Sequence, residues 1–246
     1  MKYFFSSPSS SMNQLKDNGA KNYLLSFAVD AKKIYNFDED DNSLIVDSGA
    51  FSLWNKGAGT IDIDEYLAFI NSLEHGDITC INLDVIPQTG SSKAEINKCV
   101  EQGFENYLYL KSKSKHKIMP VYHYGENISI LKRYADHTDY IGISPANDTA
   151  EVVKRAFLDK VFGYTRDKIK LHGLGYSSFG GLYIYPFYSI DSITYLRCDI
   201  YIDRHYMRMF VNGKAMSYYS NLRIREFIDL EKTVTEIWRK RGITWD

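Results

Sequence analysis

Residues Lys117–Asp148 read KIMPVYHYGENISILKRYADHTDYIGISPAND, and the fold is decided there. Lys117–His123 is a compact apolar run without sustained polar alternation, the pattern of a strand buried on both faces. Asn127–Ala135 follows with a helical pattern, and Tyr140–Ile143 is a second short apolar run. Polar and glycine-rich sequence gathers where each run stops: His123-Tyr124-Gly125-Glu126 after the first, Ser144-Pro145-Ala146-Asn147-Asp148 after the second.

The same alternation extends both ways along the chain. Strands are expected at Tyr23–Val29, Ser43–Asp47 and Ile78–Asp84 upstream, and at Ile169–Leu174, Phe187–Asp191 and Asp199–Asp203 downstream. Helices are expected at Asp62–His75, Ala94–Tyr107 and Thr149–Phe162, with a last one around 221–241. In the first, Ile63, Tyr66, Leu67, Ile70 and Leu73 form one stripe, while Asp64 and Glu65 suit the positive end of the helix dipole. Eight strands alternating with helices over 246 residues predict one α/β domain spanning 1–246. A (β/α)8 TIM-like barrel is favoured over an open doubly wound sheet. No G-x-G-x-x-G or G-x-x-x-x-G-K-[ST] phosphate loop supports the open sheet.

Composition narrows the class. Apolar residues make up 44% and charged residues 25%, the balance of a globular protein. No apolar run approaches the roughly 20 residues that cross a bilayer, and Met1–Ser11 lacks a signal peptide's charged start and apolar core. No membrane partner is expected. Three widely spaced cysteines, Cys80, Cys99 and Cys198, point to a reducing cytoplasm without a disulfide framework. Net charge is −1, so there is no overall basic footprint for nucleic acid. Basic residues do concentrate in the last third, Arg197, Arg204 and Arg208 among them. They are candidates for a sugar-phosphate backbone, against the plainer reading of a solvated helix face. The 20 tyrosines are open to a similar choice between base stacking and ordinary packing.

The strand ends carry the chemistry. Ser43–Val46 runs into Asp47-Ser48-Gly49-Ala50-Phe51, Ile78–Leu83 ends at Asp84, and Lys170–Leu171 leads to His172-Gly173-Leu174-Gly175. Phe187–Ile190 leads to Asp191. In a (β/α) barrel these ends meet at one mouth. A lone aspartate after a strand often caps the next helix, and a glycine there often serves a turn. Three converging carboxylates are harder to explain that way. Two carboxylates across a pocket suit glycosyl chemistry: one attacks an anomeric carbon while the other moves a proton on or off the leaving group.

At these residues the chain resembles the tRNA-guanine transglycosylase family, including its DNA-modifying branch. Asp47-Ser48-Gly49-Ala50-Phe51 resembles the family's D-S-G-G-F motif, whose aspartate is a general acid/base. Ser189-Ile190-Asp191-Ser192-Ile193-Thr194-Tyr195 resembles its F-D-S-A-x-Y segment, whose aspartate is the nucleophile. Leu83-Asp84-Val85-Ile86-Pro87 resembles the L-D-I-P stretch that reads the base edge. Pro120–Gly125 falls where the family has V-Q-G-G, with His123 or Tyr122 at the glutamine. Gly142–Pro145 falls at a glycine loop, and His172-Gly173-Leu174-Gly175 resembles H-L-F-G. The motifs keep family order over about Asp47–Tyr195.

The resemblance implies base exchange in a polynucleotide, guanine giving way to a 7-deazaguanine such as preQ0. Asp191 and Asp47 are the implied catalytic pair. Ser48, Gly49, Phe51, Asp84, His123, Tyr124, Gly142, Ser144, His172, Gly173 and Gly175 are the implied substrate contacts. His123 and His172 are equally readable as packed histidines, and Phe51 and Tyr124 as pocket-wall aromatics. No cofactor is implied. The family's zinc site is missing, since only Cys198 and His205 fall in its region, so no zinc is expected. That loss and the compact chain favour DNA over tRNA, encoded by a phage or mobile element, with a partner protein or a homo-oligomer helping to dock it. Two other readings stay open: a nucleoside or glycoside hydrolase using the same aspartates, and a non-catalytic nucleic-acid-binding subunit.

Overall fold

The computed structural model describes residues 1–6, 12–30, 43–57, 59–74, 76–87, 90–145, 149–165, 168–196 and 214–245. Its strands are β1 (Lys2–Ser6), β2 (Asn22–Ser26), β3 (Ser43–Asp47), β4 (Ile78–Ile81), β5 (Lys117–Met119), β6 (Val121–His123), β7 (Tyr140–Ser144), β8 (Lys170–Gly173) and β9 (Ser189–Ser192). Neighbours follow the order β5-β4-β3-β2-β1-β9-β8-β7-β6, and the paired strands are parallel. β5 and β6 stand at the two ends of that order, yet only Pro120 separates them in sequence. They are halves of one stave, interrupted because proline has no N–H to give a ladder. The Pro120 carbonyl still accepts from Gly142 N at 2.8 Å, and the Met119 carbonyl accepts from Asn82 N at 2.9 Å. The sheet thus closes as an eight-stave (β/α)8 barrel.

The helices on its outside are α1 (Met12–Asp17), α2 (Phe27–Asp30), α3 (Ala50–Lys56), α4 (Ile63–Ser72), α5 (Lys93–Lys113), α6 (Ile128–Ala135), α7 (Glu151–Thr165), α8 (Phe179–Leu182) and α9 (Lys214–Lys240), with a 3-10 turn at Thr194–Leu196. Their starts are written locally. The Asp62 carboxylate accepts from Asp64 N and Glu65 N, Ser92 and Glu95 form a capping box, and Asn127 accepts from Ser129 N. All five expected helices are present, with α5 running on to Lys113 rather than ending near Tyr107.

One strand is additional and two expected ones are shorter. β1 lies outside the expected set, and pairing between β2 and β9 makes it a strand. Tyr23–Val29 stops at Ser26, where Phe27 begins α2, and Ile78–Asp84 stops at Ile81. The expected strand Asp199–Asp203 lies outside the described residues.

Alternation sorts the side chains into two cores. Phe4, Leu24, Ile45, Ile81, Met119 and Val121 fill the barrel interior, with Tyr140 and Leu174 against them. Their strand neighbours Tyr3, Phe5, Tyr23, Leu44, Val46, Cys80, Ile118, Tyr122, Ile141 and Ile190 point outward under the helices. The same parity turns Ser6, Asp47, His123, Ser144, His172 and Asp191 inward, so the apolar interior layer floors a polar mouth at the strands' C-terminal ends.

Candidate active site

Asp191 sits in β9 between the two staves that flank it, and donors reach it from both. From β1, the Ser6 hydroxyl donates to Oδ2 at 2.6 Å. From β8 and the turn after it, His172 Nε2 lies 3.2 Å and Gly175 N 2.9 Å from Oδ1. Gly175 turns that N–H inward at φ +59°, a left-handed conformation that favours glycine. Behind Ser6, the Tyr195 hydroxyl donates to its carbonyl at 2.9 Å. Asp191 is 8% exposed, so its carboxylate is held and almost enclosed.

Asp47 ends β3, three staves from β9 around the ring of eight, so the two carboxylates enter the mouth from facing walls. Burial pushes the Asp47 carboxyl up to about 7 from the ordinary 3.8. The backbone N–H groups of Gly49 and Ser48 oppose that rise, and the charges of Asp191 and Asp84 add to it. Asp47 therefore stands within electrostatic reach of both other carboxylates. Gly49 has φ +80°, and a Cβ there would come within 2.6 Å of both Ala28 Cβ and Ser26 Oγ. Only glycine lets the Asp47 turn press against β2 and α2. The Tyr66 hydroxyl, from α4, bridges the Val46 and Ile81 carbonyls at 3.1 and 2.7 Å, tying the β3 end to the β4 end.

Beyond β4, Asp84 is clamped by Asn82 Nδ2 at 3.1 Å and His123 Nε2 at 3.0 Å. Burial opposes charge on His123, but the hydrogen bond and charge of Asp84, with Glu126 nearby, outweigh it and raise its pKa. Glu126 accepts from His123 N at 3.1 Å, and burial raises its carboxyl to about 7 against the pull of His123. The pair Asp84–His123 thus presents an acceptor beside an imidazole whose charged form is favoured. Tyr122 faces the other way, buried and stacked on Phe157 at 5.6 Å, so His123 is the inward residue of that stave.

The remaining sequence candidates divide into two groups. Phe51 and Tyr124 are exposed, at 64% and 46%, Phe51 in the first turn of α3 and Tyr124 in the turn after β6; Phe51 stacks on Trp54. Ser144 is half-buried at the inward end of β7. Ser48 is buried and takes Ala50 N on its hydroxyl at 3.4 Å, so it shapes the turn. Gly142 leaves room inside the barrel, since a Cβ would meet Val121 Cγ2 at 3.2 Å. Gly173 faces the outer core, where a Cβ would meet Phe187 and Tyr176 at 3.0 Å, so it is a packing glycine and not a wall of the mouth. His172 is fully buried and contacts Asp191, not the opening. Arg197, Arg204 and Arg208, like Cys198 and His205, lie outside the described residues. Among the described residues no cluster of three metal-ligating side chains occurs, and no helix is long and apolar enough to cross a membrane.

Ser6, Asn82, Glu126, Ser189 and Tyr140 were not singled out in sequence. Ser189 was legible in principle, two residues before Asp191 and hence on the same strand face. Ser6 was hidden with its strand. A cavity of about 70 Å³ also opens at the opposite, N-terminal end of the barrel, lined by Lys2, Ser43, Asp77, Lys117, Tyr140 and Lys170. There Lys2 Nζ and Ser43 Oγ both donate to Asp77, at 3.4 and 2.7 Å. Barrel enzymes work at the other end, where the three carboxylates are.

Fold and mouth together define a (β/α)8 barrel with a carboxylate-lined C-terminal face. No protein-family model matches the chain, and no curated protein matches it.

Proposed function

We propose that this barrel is a base-exchange transglycosylase acting on guanine in a polynucleotide, DNA in preference to tRNA. The observation that carries the reading is the contrast between two facing carboxylates: Asp191 held by three hydrogen-bond donors, and Asp47 raised to about 7. Environments that split two acids in this way assign one to attack and the other to proton transfer.

The target nucleotide is flipped or single-stranded, with its base between exposed aromatics such as Phe51 and Tyr124. An Asp191 oxygen forms a bond to C1′ as the C1′–N9 bond breaks. The bonding pair leaves with guanine, which takes a proton from Asp47. A 7-deazaguanine such as preQ0 then enters, its donor edge toward Asp84 and an acceptor toward His123. Its ring N–H gives a proton to Asp47, the freed pair attacks C1′, and Asp191 departs as carboxylate. Two inversions give retention at C1′ and return both acids to their starting states. A pKa near neutrality suits a group that must give and take the same proton.

The test is incorporation of labelled guanine or preQ0 into DNA and tRNA in parallel, with Asp191→Ala as control. Incorporation into DNA that is lost in the variant is expected. Incorporation into tRNA alone reassigns the polymer. Release of free base with no acceptor base present replaces exchange with hydrolysis, and no turnover of any kind leaves a nucleic-acid-binding subunit.

A further inference from the structure

One polar chain crosses the apolar interior of the barrel. From Asp191 it passes to His172 Nε2 at 3.2 Å, from His172 Nδ1 to Ser189 Oγ at 2.7 Å, and from Ser189 Oγ to the Tyr140 hydroxyl at 2.5 Å. His172 and Ser189 are fully buried, and the register places them directly opposite on β8 and β9.

With Asp191 as carboxylate and His172 as the neutral ring, the protons in this chain run one way. A carboxylate only accepts, so His172 Nε2 carries the hydrogen it shares with Asp191. In the neutral ring Nδ1 must then accept, and Ser189 supplies the proton. With its single hydrogen committed, the Ser189 oxygen accepts from Tyr140. Burial raises the Tyr140 phenol well above its ordinary range, so it keeps the proton it donates. The aromatic edge contacts of the imidazole, Phe4 at 5.9 Å and Tyr140 at 6.4 Å, give a neutral ring apolar company. We propose that His172 is a positioning residue, fixed as the Nε2–H tautomer by the Tyr140–Ser189 relay, and that its N–H orients the Asp191 carboxylate for attack.

The orienting role rests on the base-exchange reading; the tautomer does not. Reversing the tautomer would set two lone pairs against each other at Asp191, so the partners of both ring nitrogens fix it; the split between kcat and KM is what separates positioning from a merely structural role. Tyr140 and Ser189 then act on the nucleophile from beneath the pocket without touching substrate. That distinguishes them from the direct donors Ser6 and Gly175.

Two measurements on the full chain test this. Nitrogen-15 NMR of the histidine side chains, with His172 assigned by loss of its signals in His172→Gln, should give a protonated Nε2 and an unprotonated Nδ1 at pH 7. Steady-state exchange should then lose about 10- to 100-fold in kcat for His172→Leu, the range for a hydrogen bond to a charged group, with KM for the incoming base unchanged. His172→Gln, whose amide N–H reaches about as far as imidazole Nε2, should restore most of that loss. Tyr140→Phe keeps volume and serves if the buried His172 variants do not fold: its His172 signals should move toward mixed tautomers as kcat falls. An Nδ1–H signal in an active protein overturns the relay and leaves base exchange standing. The expected tautomer in a protein that exchanges no base overturns the exchange reading and leaves the relay supported. A rise in KM with kcat intact moves His172 from positioning to base binding and overturns its assigned role.

Discussion

Replacing Asp47 with asparagine should make the protein more stable at pH 8 while removing the proposed base exchange. The carboxyl is raised from 3.8 to about 7 chiefly by burial, so the folded state holds this proton more tightly than the unfolded chain does. Below the unfolded value both states are protonated and the group contributes nothing. Between the two values the unfolded chain is ionised and the folded one is not, so stability falls as pH rises. Above about 7 both are ionised and the folded state carries the cost of a desolvated charge, at most the whole of the shift because Asp47 is half-buried at the end of β3. About three pH units at about 1.4 kcal/mol each make that ceiling roughly 4 kcal/mol. Asparagine fills nearly the same volume and cannot ionise, so the variant escapes the cost.

Urea unfolding of Asp47→Asn and wild type at several pH values reads this directly, because other titrating groups, Glu126 among them, are common to both proteins and cancel in the difference. The gap should be small near pH 4.5 and grow to at most roughly 4 kcal/mol by pH 8, the variant always the more stable. Base exchange should fall by about 100-fold or more over the same range, as expected on losing a general acid/base. A gap that does not widen with pH, or an asparagine variant less stable than wild type at pH 8, would refute a raised Asp47.

Three further outcomes follow from named contacts. Gly49→Ala should cost roughly 2–4 kcal/mol in urea unfolding, strain and overpacking together, whereas Gly59→Ala, at φ +92° with nothing within 4 Å, should lose only the backbone part; equal losses would mean that Ser26 and Ala28 yield freely. Ser6→Ala removes the 2.6 Å hydrogen bond to Asp191 and should lower kcat by about 10- to 100-fold with little change in KM. Tyr66→Phe removes the one hydroxyl hydrogen that the Val46 and Ile81 carbonyls share and should cost about 1–3 kcal/mol in thermal or urea unfolding; an unchanged midpoint would mean those carbonyls find other donors.

Much of the barrel was legible because buried parallel strands are short apolar runs and Asp62, Ser92 and Asn127 mark helix starts by their own chemistry. β1 is no shorter than β3, but Ser7-Pro8-Ser9-Ser10-Ser11 follows it in place of a charged strand end, and its strand character comes from β2 and β9 on either side. The inward carboxylates were legible for a different reason: a charge at the end of an apolar strand is costly unless something uses it. Tertiary partners were not. Nothing local in Ser6 or Gly175 says that both reach Asp191, since they are 169 residues apart in the chain and meet only when β1 and β8 close on β9. His172 looked like a ligand contact because it follows a strand, but parity and depth place it one layer below the mouth. Parity can be read from sequence, whereas depth depends on the stagger of the staves.

That stagger also gives two aspartates on one rim the different surroundings that the proposed division of roles needs. Asp191 lies beside Phe4 in the register, deep enough for donors from both flanking staves to reach it. Asp47 lies beside Ser26, at the last paired position of β3, where the opposing backbone N–H groups come from its own turn. The first arrangement fixes a carboxylate's direction, and the second leaves its protonation free to change. Exchanging the two roles would therefore require moving the donors of β1 and β8 as well as the acids themselves, and a closed barrel, whose neighbours are set by strand order, does not permit that by substitution at Asp47 or Asp191 alone.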